Sequence, residues 1–220
     1  VATRFLLTQL GLGLEDIDMI ILSHCHEDHM GAFVELITTG RKPKFMTAEP
    51  IYRATLDKLA SFFGQTTEEV AELLDYYPAK MGEPFESLGA TFELFYTVHS
   101  IPTVGLKVEV RDEFGETHGV VISGDTLHHE GLQKLHEEEL LPTEHMKRMK
   151  HLVPTTRQQR YVYFCDVGES IIHGHPKDWA DHDNRVVYYH CPDNEYTRSF
   201  SRELAIPGKT LNILSPRRLH

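Results

Sequence analysis

Between Asp18 and Gly31 the chain reads DMIILSHCHEDHMG, and four side chains able to hold a metal, His24, His26, Asp28 and His29, fall within six residues. The preceding Met19-Ile20-Ile21-Leu22 is a short apolar β-type run, so the four stand where a strand gives way to a loop. Extended backbone sends residues i and i+2 to one side, which lets His24 and His26 reach one cation together. Asp28 and His29 open a helix-like run to Thr38 and leave in another direction, toward a second cation. Imidazole and carboxylate donors suit zinc, iron or manganese, whereas calcium and magnesium prefer oxygen alone. Three histidines and an aspartate in so compact a pattern rarely serve packing, and metal binding is the reading to carry forward.

The elements that must position these groups follow from periodicity. Val1 to Gly13 carries Phe5, Leu6, Leu7 and Leu10 at helical spacing and reads as the end of a helix leading into the first strand. A helix is expected over Asp28–Thr38 and a strand over Lys44–Ala48; Pro50 then opens a helix over Ile51–Phe63. Thr66 and Glu69 form a capping box, with Val70, Leu73, Leu74 and Tyr77 as the apolar stripe of the helix that follows. Phe92–Val98 and Val104–Val110 alternate as strands, the turn around Gly115 leads into Val120–Ile122, and Val162–Cys165 and Arg185–Tyr189 are two more. Glu130–Leu152 reads as a charged helical run with a solvated face, and its histidines receive no role. A last strand is expected over Thr210–Leu214. Three of these strands end on a potential ligand: His99, Asp125 and His190. Strand ends along one sheet edge are where layered α/β folds assemble a site.

Composition bounds the rest. At 220 residues, with 40% apolar and 25% charged residues, a single domain over 1–220 is expected. No run of about 18 apolar residues occurs, and none of the features of a secretory signal stands at Val1, so neither a membrane span nor export is expected. Three cysteines, Cys25, Cys165 and Cys191, lack the spacing of a disulfide framework and point to a reducing, cytoplasmic compartment. Cys25 and Cys191 each adjoin a candidate ligand, but a neighbour in extended chain faces the other way, so both read as small buried residues. The formal charge of −11 disfavours nucleic acid as a partner. Homo-oligomerisation is left open.

Collected in order, His24, His26, Asp28, His29, His99, Asp125 and His190 resemble the ligand set of the metallo-β-lactamase superfamily, whose H-x-H-x-D-H stretch is followed by a separate His, an Asp and a last His. The resemblance implies an α/β chain folded as a four-layer αββα sandwich. It also implies two divalent cations, zinc first, with iron or manganese as alternatives. By that likeness His24, His26 and His99 hold one ion, Asp28, His29 and His190 the other, and Asp125 bridges them. Asp28 also counts among the catalytic residues. The segment His99-Ser100-Ile101-Pro102-Thr103-Val104-Gly105 is similar to the ribonuclease Z and phosphodiesterase branch, and Asp166–His173 to that branch's acid-then-histidine segment. There a carboxylate, here Asp166, orients a non-ligand histidine, here His173, which protonates the leaving group; His175 is the alternative acid. The fold normally has two or more strands before the first motif, so either the given chain is a fragment or its first sheet is incomplete. An exposed sheet edge would then call for a partner or a covering segment.

Two cations about 3.5 to 4 Å apart would share a water, lower its pKa toward neutrality and supply a nucleophile for an ester. The resulting expectation is a metal-dependent phosphodiesterase acting on a cyclic nucleotide or another small anionic diester. A thioester or lactone hydrolase and a tRNA 3′-end endonuclease are alternatives within the fold. A metal-stabilised regulatory module without turnover is the alternative outside catalysis.

Overall fold

Short apolar runs bounded by loops, and aromatic or β-branched residues at alternate positions, form the strands in the computed structural model, which describes residues 7–31, 33–151, 160–182, 184–191 and 193–206. These residues fall into two compact units, Val1–Met81 and Gly82–His220.

In the first unit, one helical turn at 7–9 ends before Gly11, whose φ of 72° turns the chain toward the first strand. Strands β1 (Met19–Ile21), β2 (Lys44–Thr47) and β3 (Asp75–Pro78) form a parallel sheet in the order β1-β2-β3. Ile20 pairs with Phe45 and Phe45 with Tyr76. The helix expected over Asp28–Thr38 is two short pieces, α1 (Glu27–Met30) and α2 (Phe33–Thr38). Helix α3 (Glu49–Phe63) has Pro50 in its first turn, where a missing N–H costs nothing, and ends on Gly64 at φ 65°. It buries Ile51, Leu59 and Ala60, and each fully buried large aliphatic side chain contributes about 1.5–3 kcal/mol.

Helix α4 (Thr67–Ala71) begins with the expected capping box: Glu69 N–H donates to Thr66 Oγ1 at 3.2 Å, and Thr66 N–H to Glu69 Oε2 at 2.9 Å. Tyr77 does not extend its stripe. The helix stops at Ala71, and Asp75–Pro78 is strand β3, in which Tyr76 stacks face to face on Tyr52 of α3 at 3.6 Å. Consecutive tyrosines before a proline fit a pleated edge better than a helix, and packing on Tyr52 decides between them.

In the second unit, β4 (Phe85–Ser87), β5 (Ala90–Thr97), β6 (Thr103–Arg111), β7 (Thr117–Ile122), β8 (Arg160–Asp166), β9 (Arg185–Tyr189) and β10 (Glu203–Leu204) form one seven-stranded sheet in the order β10-β9-β8-β7-β6-β5-β4. Strands β4 to β7 pair antiparallel and β7 to β10 parallel. Strand β4, too short for its alternation to be read, was not expected.

The charged run after Glu130 is two helices, α5 (His129–Glu137) and α6 (Thr143–His151), because Leu140-Leu141-Pro142 interrupts it. Leu132 of α5 and Met146 and Met149 of α6 close over a core of Phe95, Val121, Tyr163, Cys165 and Tyr188. Its unassigned histidines include two with backbone duties: His128 caps α5 by accepting Gly131 N–H at 3.1 Å, and His136 Nδ1 lies 2.8 Å from Leu141 O. Helix α7 (Glu195–Ser199) follows β9. The strand expected over Thr210–Leu214 lies outside the described residues. No helix among the described residues is long and apolar enough to cross a membrane.

Candidate metal centre

The first unit gathers its candidate ligands locally. Leu22 continues β1 through its N–H to Met46 O, at 3.2 Å, and Thr47 Oγ1 donates to Leu22 O at 2.8 Å, so the chain is held until the residue before the motif. His24 is fully buried, and its Nε2 lies 3.0 Å from His26 Nδ1. Two ligands of one tetrahedral zinc come roughly 3.3 Å apart at ordinary Zn–N distances, so the two nitrogens are spaced to share an ion. Ser23 Oγ lies between two rings, 3.1 Å from His24 Nδ1 and 3.3 Å from His29 Nδ1. His24 and His29 pack with ring centroids 4.0 Å apart. His26 is the N-cap of α1, which turns Asp28 and His29 onto a new axis. Asp28 Oδ2 lies 3.6 Å from His29 Nε2, with the carboxylate 58% exposed.

The second unit gathers its groups from strand ends. Strands β7, β8 and β9 run parallel, and β5 points the same way because two antiparallel pairings separate it from β7. His99, Asp125, Asp166 and His190 therefore follow strands that finish at one sheet edge. Gly124 allows the turn after β7: its φ is 65°, and a Cβ there would lie 2.5 Å from Val104 O. Asp125, 1% exposed, is fixed through its backbone, since Thr97 Oγ1 donates to its carbonyl at 2.9 Å and Leu127 N–H to Val98 O at 2.7 Å. His99 Nδ1 lies 3.1 Å from Ile172 O, which turns Nε2 toward Asp125 Oδ2 at 3.9 Å.

Asp166 is the hub of this unit. Fully buried, it lies with Oδ2 2.8 Å from His173 Nδ1 and Oδ1 3.3 Å from His190 Nδ1. It also accepts the N–H groups of Thr126 at 3.0 Å and Gly168 at 3.1 Å. Burial works against its charge, but the hydrogen bonds from His173, His190 and Thr126 outweigh it and hold its pKa at about 2. With Nδ1 of each ring on this carboxylate, Nε2 of both His173 and His190 is turned outward. Asp125, Asp166, His173 and His190 present ligand atoms within 4.8 Å of one another.

His190 sits at φ 59°, a left-handed conformation rare outside glycine, and such a residue persists only where its surroundings over-determine it. The loop back to Asp166 is equally tight, since a Cβ on Gly174 would meet Asp166 O at 2.2 Å. His175 N–H donates to Asp178 Oδ2 at 2.9 Å, and its ring packs on His128.

Each unit thus collects the site residues that its own stretch of chain contributes. Two groups were missed from the sequence. Ser23 carries no ligand chemistry, and only its place beside the first histidine marks it. The second contact of Asp166, on His190, spans 24 residues and depends on strand register. The donors, imidazole nitrogens with carboxylates, fit divalent zinc, iron or manganese.

Residues 1–157 match the sequence profile of the family described as Anti-Pycsar protein Apyc1. The chain belongs to this family. It is also similar to two proteins of Dictyostelium discoideum. The cGMP-dependent 3′,5′-cGMP phosphodiesterase A is 29% identical over 147 residues, covering 66% of this chain and 16% of that protein. The cAMP/cGMP-dependent 3′,5′-cAMP/cGMP phosphodiesterase B is 27% identical over 152 residues, covering 69% and 13%. The matches thus span only a small part of these relatives' length.

Among solved structures, the metallo-β-lactamase fold protein YhfI from Bacillus subtilis aligns with a TM-score of 0.52 at 14% identity, over 87% of this chain and 75% of that one. The short form of human tRNase Z aligns at 0.52 and 13%, over 92% and 81%. Yeast PDE1 aligns at 0.51 and 11%, over 87% and 67%. The chain has the metallo-β-lactamase fold, as its first motif led one to expect.

Proposed function

We propose that the chain is a metal-dependent phosphodiesterase whose substrate is a 3′,5′-cyclic nucleotide or a similarly small phosphodiester. In this reading His24, His26 and His99 hold one divalent cation, Asp28, His29 and His190 a second, and Asp125 both. When bound, the two cations supply an acidified water and neutralise charge on a phosphoryl group. They leave a positive site in a chain of formal charge −11, which draws a small anionic ester and not a polyanion.

The chain's own residues do the rest. Asp166, anionic at any working pH, accepts Nδ1–H of His173 and so supports the doubly protonated ring. As general acid, that ring passes its Nε2–H to the leaving oxygen and is left a neutral imidazole with its remaining proton on Nδ1. The same carboxylate orients His190 as a ligand. Of the two Dictyostelium relatives, both are named for cleavage of 3′,5′-cyclic nucleotides, and this observation carries the choice of a phosphodiester over a thioester or lactone.

The test is hydrolysis of a chromogenic phosphodiester, a cyclic nucleotide and a thioester, each with and without chelator. Chelator-sensitive cleavage of the diesters is expected. Turnover of the thioester alone would replace the phosphodiesterase reading, and no turnover at all would favour a regulatory module. His173→Ala should slow cyclic-nucleotide cleavage roughly 100- to 10,000-fold and leave the chromogenic diester, whose nitrophenolate leaves unprotonated, nearly unaffected. Asp125→Ala should release both ions together, and one ion fully retained by elemental analysis would dissolve the bridging assignment.

A further inference from the structure

Helix α3 contributes none of the candidate ligands, yet one of its faces grips the residue between the first two of them. Cys25 is 3% exposed, and its Sγ lies 3.3 Å from Ile51 O and 3.3 Å from Thr55 Oγ1. The thiol donates to Ile51 O, which also accepts from Thr55 Oγ1 at 2.8 Å, so one carbonyl of α3 ties the cysteine and the threonine together. Lys58 Nζ donates to the carbonyl oxygen of Cys25. Ile51, Thr55 and Lys58 are spaced i, i+4 and i+7, one stripe of an α-helix. That helix is anchored by Ile51 and Leu59, each 1% exposed, and closed at Gly64.

We infer that α3 sets the reach of His24 and His26 through Cys25, with Thr55 and Lys58 acting as positioning residues for the metal centre. In extended chain the side chain of Cys25 faces away from those of its two neighbours, so holding its sulfur and its carbonyl fixes the peptide planes on either side and with them both rings. The short Nε2–Nδ1 separation of His24 and His26 is then a property of the scaffold. A thiol, which is small and donates weakly, fits this place, where a larger side chain would push the loop off the helix. The inference rests on the reading of His24 and His26 as ligands of one ion.

The test compares Thr55→Val and Lys58→Met with the parent chain, using cobalt(II) as a spectroscopic probe and a chromogenic chelator as competitor. Both variants should weaken cobalt or zinc affinity roughly 10- to 100-fold and shift the cobalt ligand-field absorption, while Thr55→Ser and Lys58→Arg should restore both. Lys58 is exposed, so its variant folds even where a change at buried Thr55 does not. Unchanged affinity and spectrum in Lys58→Met would overturn the inference. So would a fall in thermal stability without any change at the metal, because α3 would then be merely packing. Metal binding without diester hydrolysis in the parent sinks the proposed function and leaves this inference standing. A parent that binds no metal removes both.

Discussion

The two units organise their site residues by opposite means. In the first, four side chains within six residues are arranged by contacts among themselves and with Ser23, a neighbour in sequence. In the second, groups as far apart as His99 and His190 are arranged by strand ends and by one buried carboxylate, Asp166, that no metal needs to touch. The local cluster is easy to encode, and it is held by contacts from neighbours in sequence and by the grip of α3. The distributed cluster takes most of a sheet to encode, but its two orienting bonds are built into the core. The second unit should therefore hold its histidines in place with or without metal, and the first should depend more on the ion.

The hardest blow to that contrast is Asp166→Ala. The substitution strands the buried Thr126 N–H, takes the acceptor from the half-buried Gly168 N–H and removes the carboxylate on Nδ1 of both His173 and His190. Buried donors left without acceptors cost about 1–3 kcal/mol each, so a loss of about 3 to 5 kcal/mol is expected in the metal-free chain. Urea unfolding would measure it as a fall in midpoint at unchanged slope. A loss below about 1 kcal/mol would mean that Asp166 is no hub, and the two units would differ in sequence span alone.

The same contrast explains what could be read from the sequence. The first motif was legible whole, because its spacing and the apolar run before it are both local. His99, Asp125 and His190 were legible as strand ends because alternation marks where a strand stops. The contact between Asp166 and His190 was not, since it follows from the pairing of Asp166 with Tyr189 across β8 and β9, a register no periodicity reports. Strand β3 was hidden for a related reason: Tyr77 fits a helical stripe in sequence, and the parallel pairing with β2 together with the stacking of Tyr76 on Tyr52 commits the segment to a sheet. The break between α5 and α6 at Pro142 was visible in the residues but outweighed by the charge pattern around it.

A gentler probe of the second unit is the backbone of His190. Replacing it with Gly removes the ring but relieves a φ of 59°, whereas Ala removes the ring and keeps the strain. The glycine variant should be about 1 kcal/mol more stable than the alanine variant by urea unfolding, and in the proposed assignment both should retain one fewer ion than the parent. Equal stabilities would show that the left-handed turn at this strand end carries no strain, and that the sheet edge does not over-determine the position.

The smallest effect is expected from Ser23→Ala in the first unit. The serine hydroxyl is shared by two ring nitrogens at 3.1 and 3.3 Å, but it is only half-buried, so water can take up what it leaves. The metal-free chain should lose about 1 kcal/mol or less, because a net hydrogen bond is worth no more than that when solvent replaces it. Zinc affinity, by contrast, should fall roughly tenfold, since the hydroxyl that orients Nδ1 of both His24 and His29 would be gone. That combination, little stability lost and measurable affinity lost, is the signature of a cluster arranged for its ion. If Ser23→Ala destabilised the metal-free chain as much as Asp166→Ala, the first unit would be as deeply built into its core as the second, and the ion would contribute no more to one than to the other.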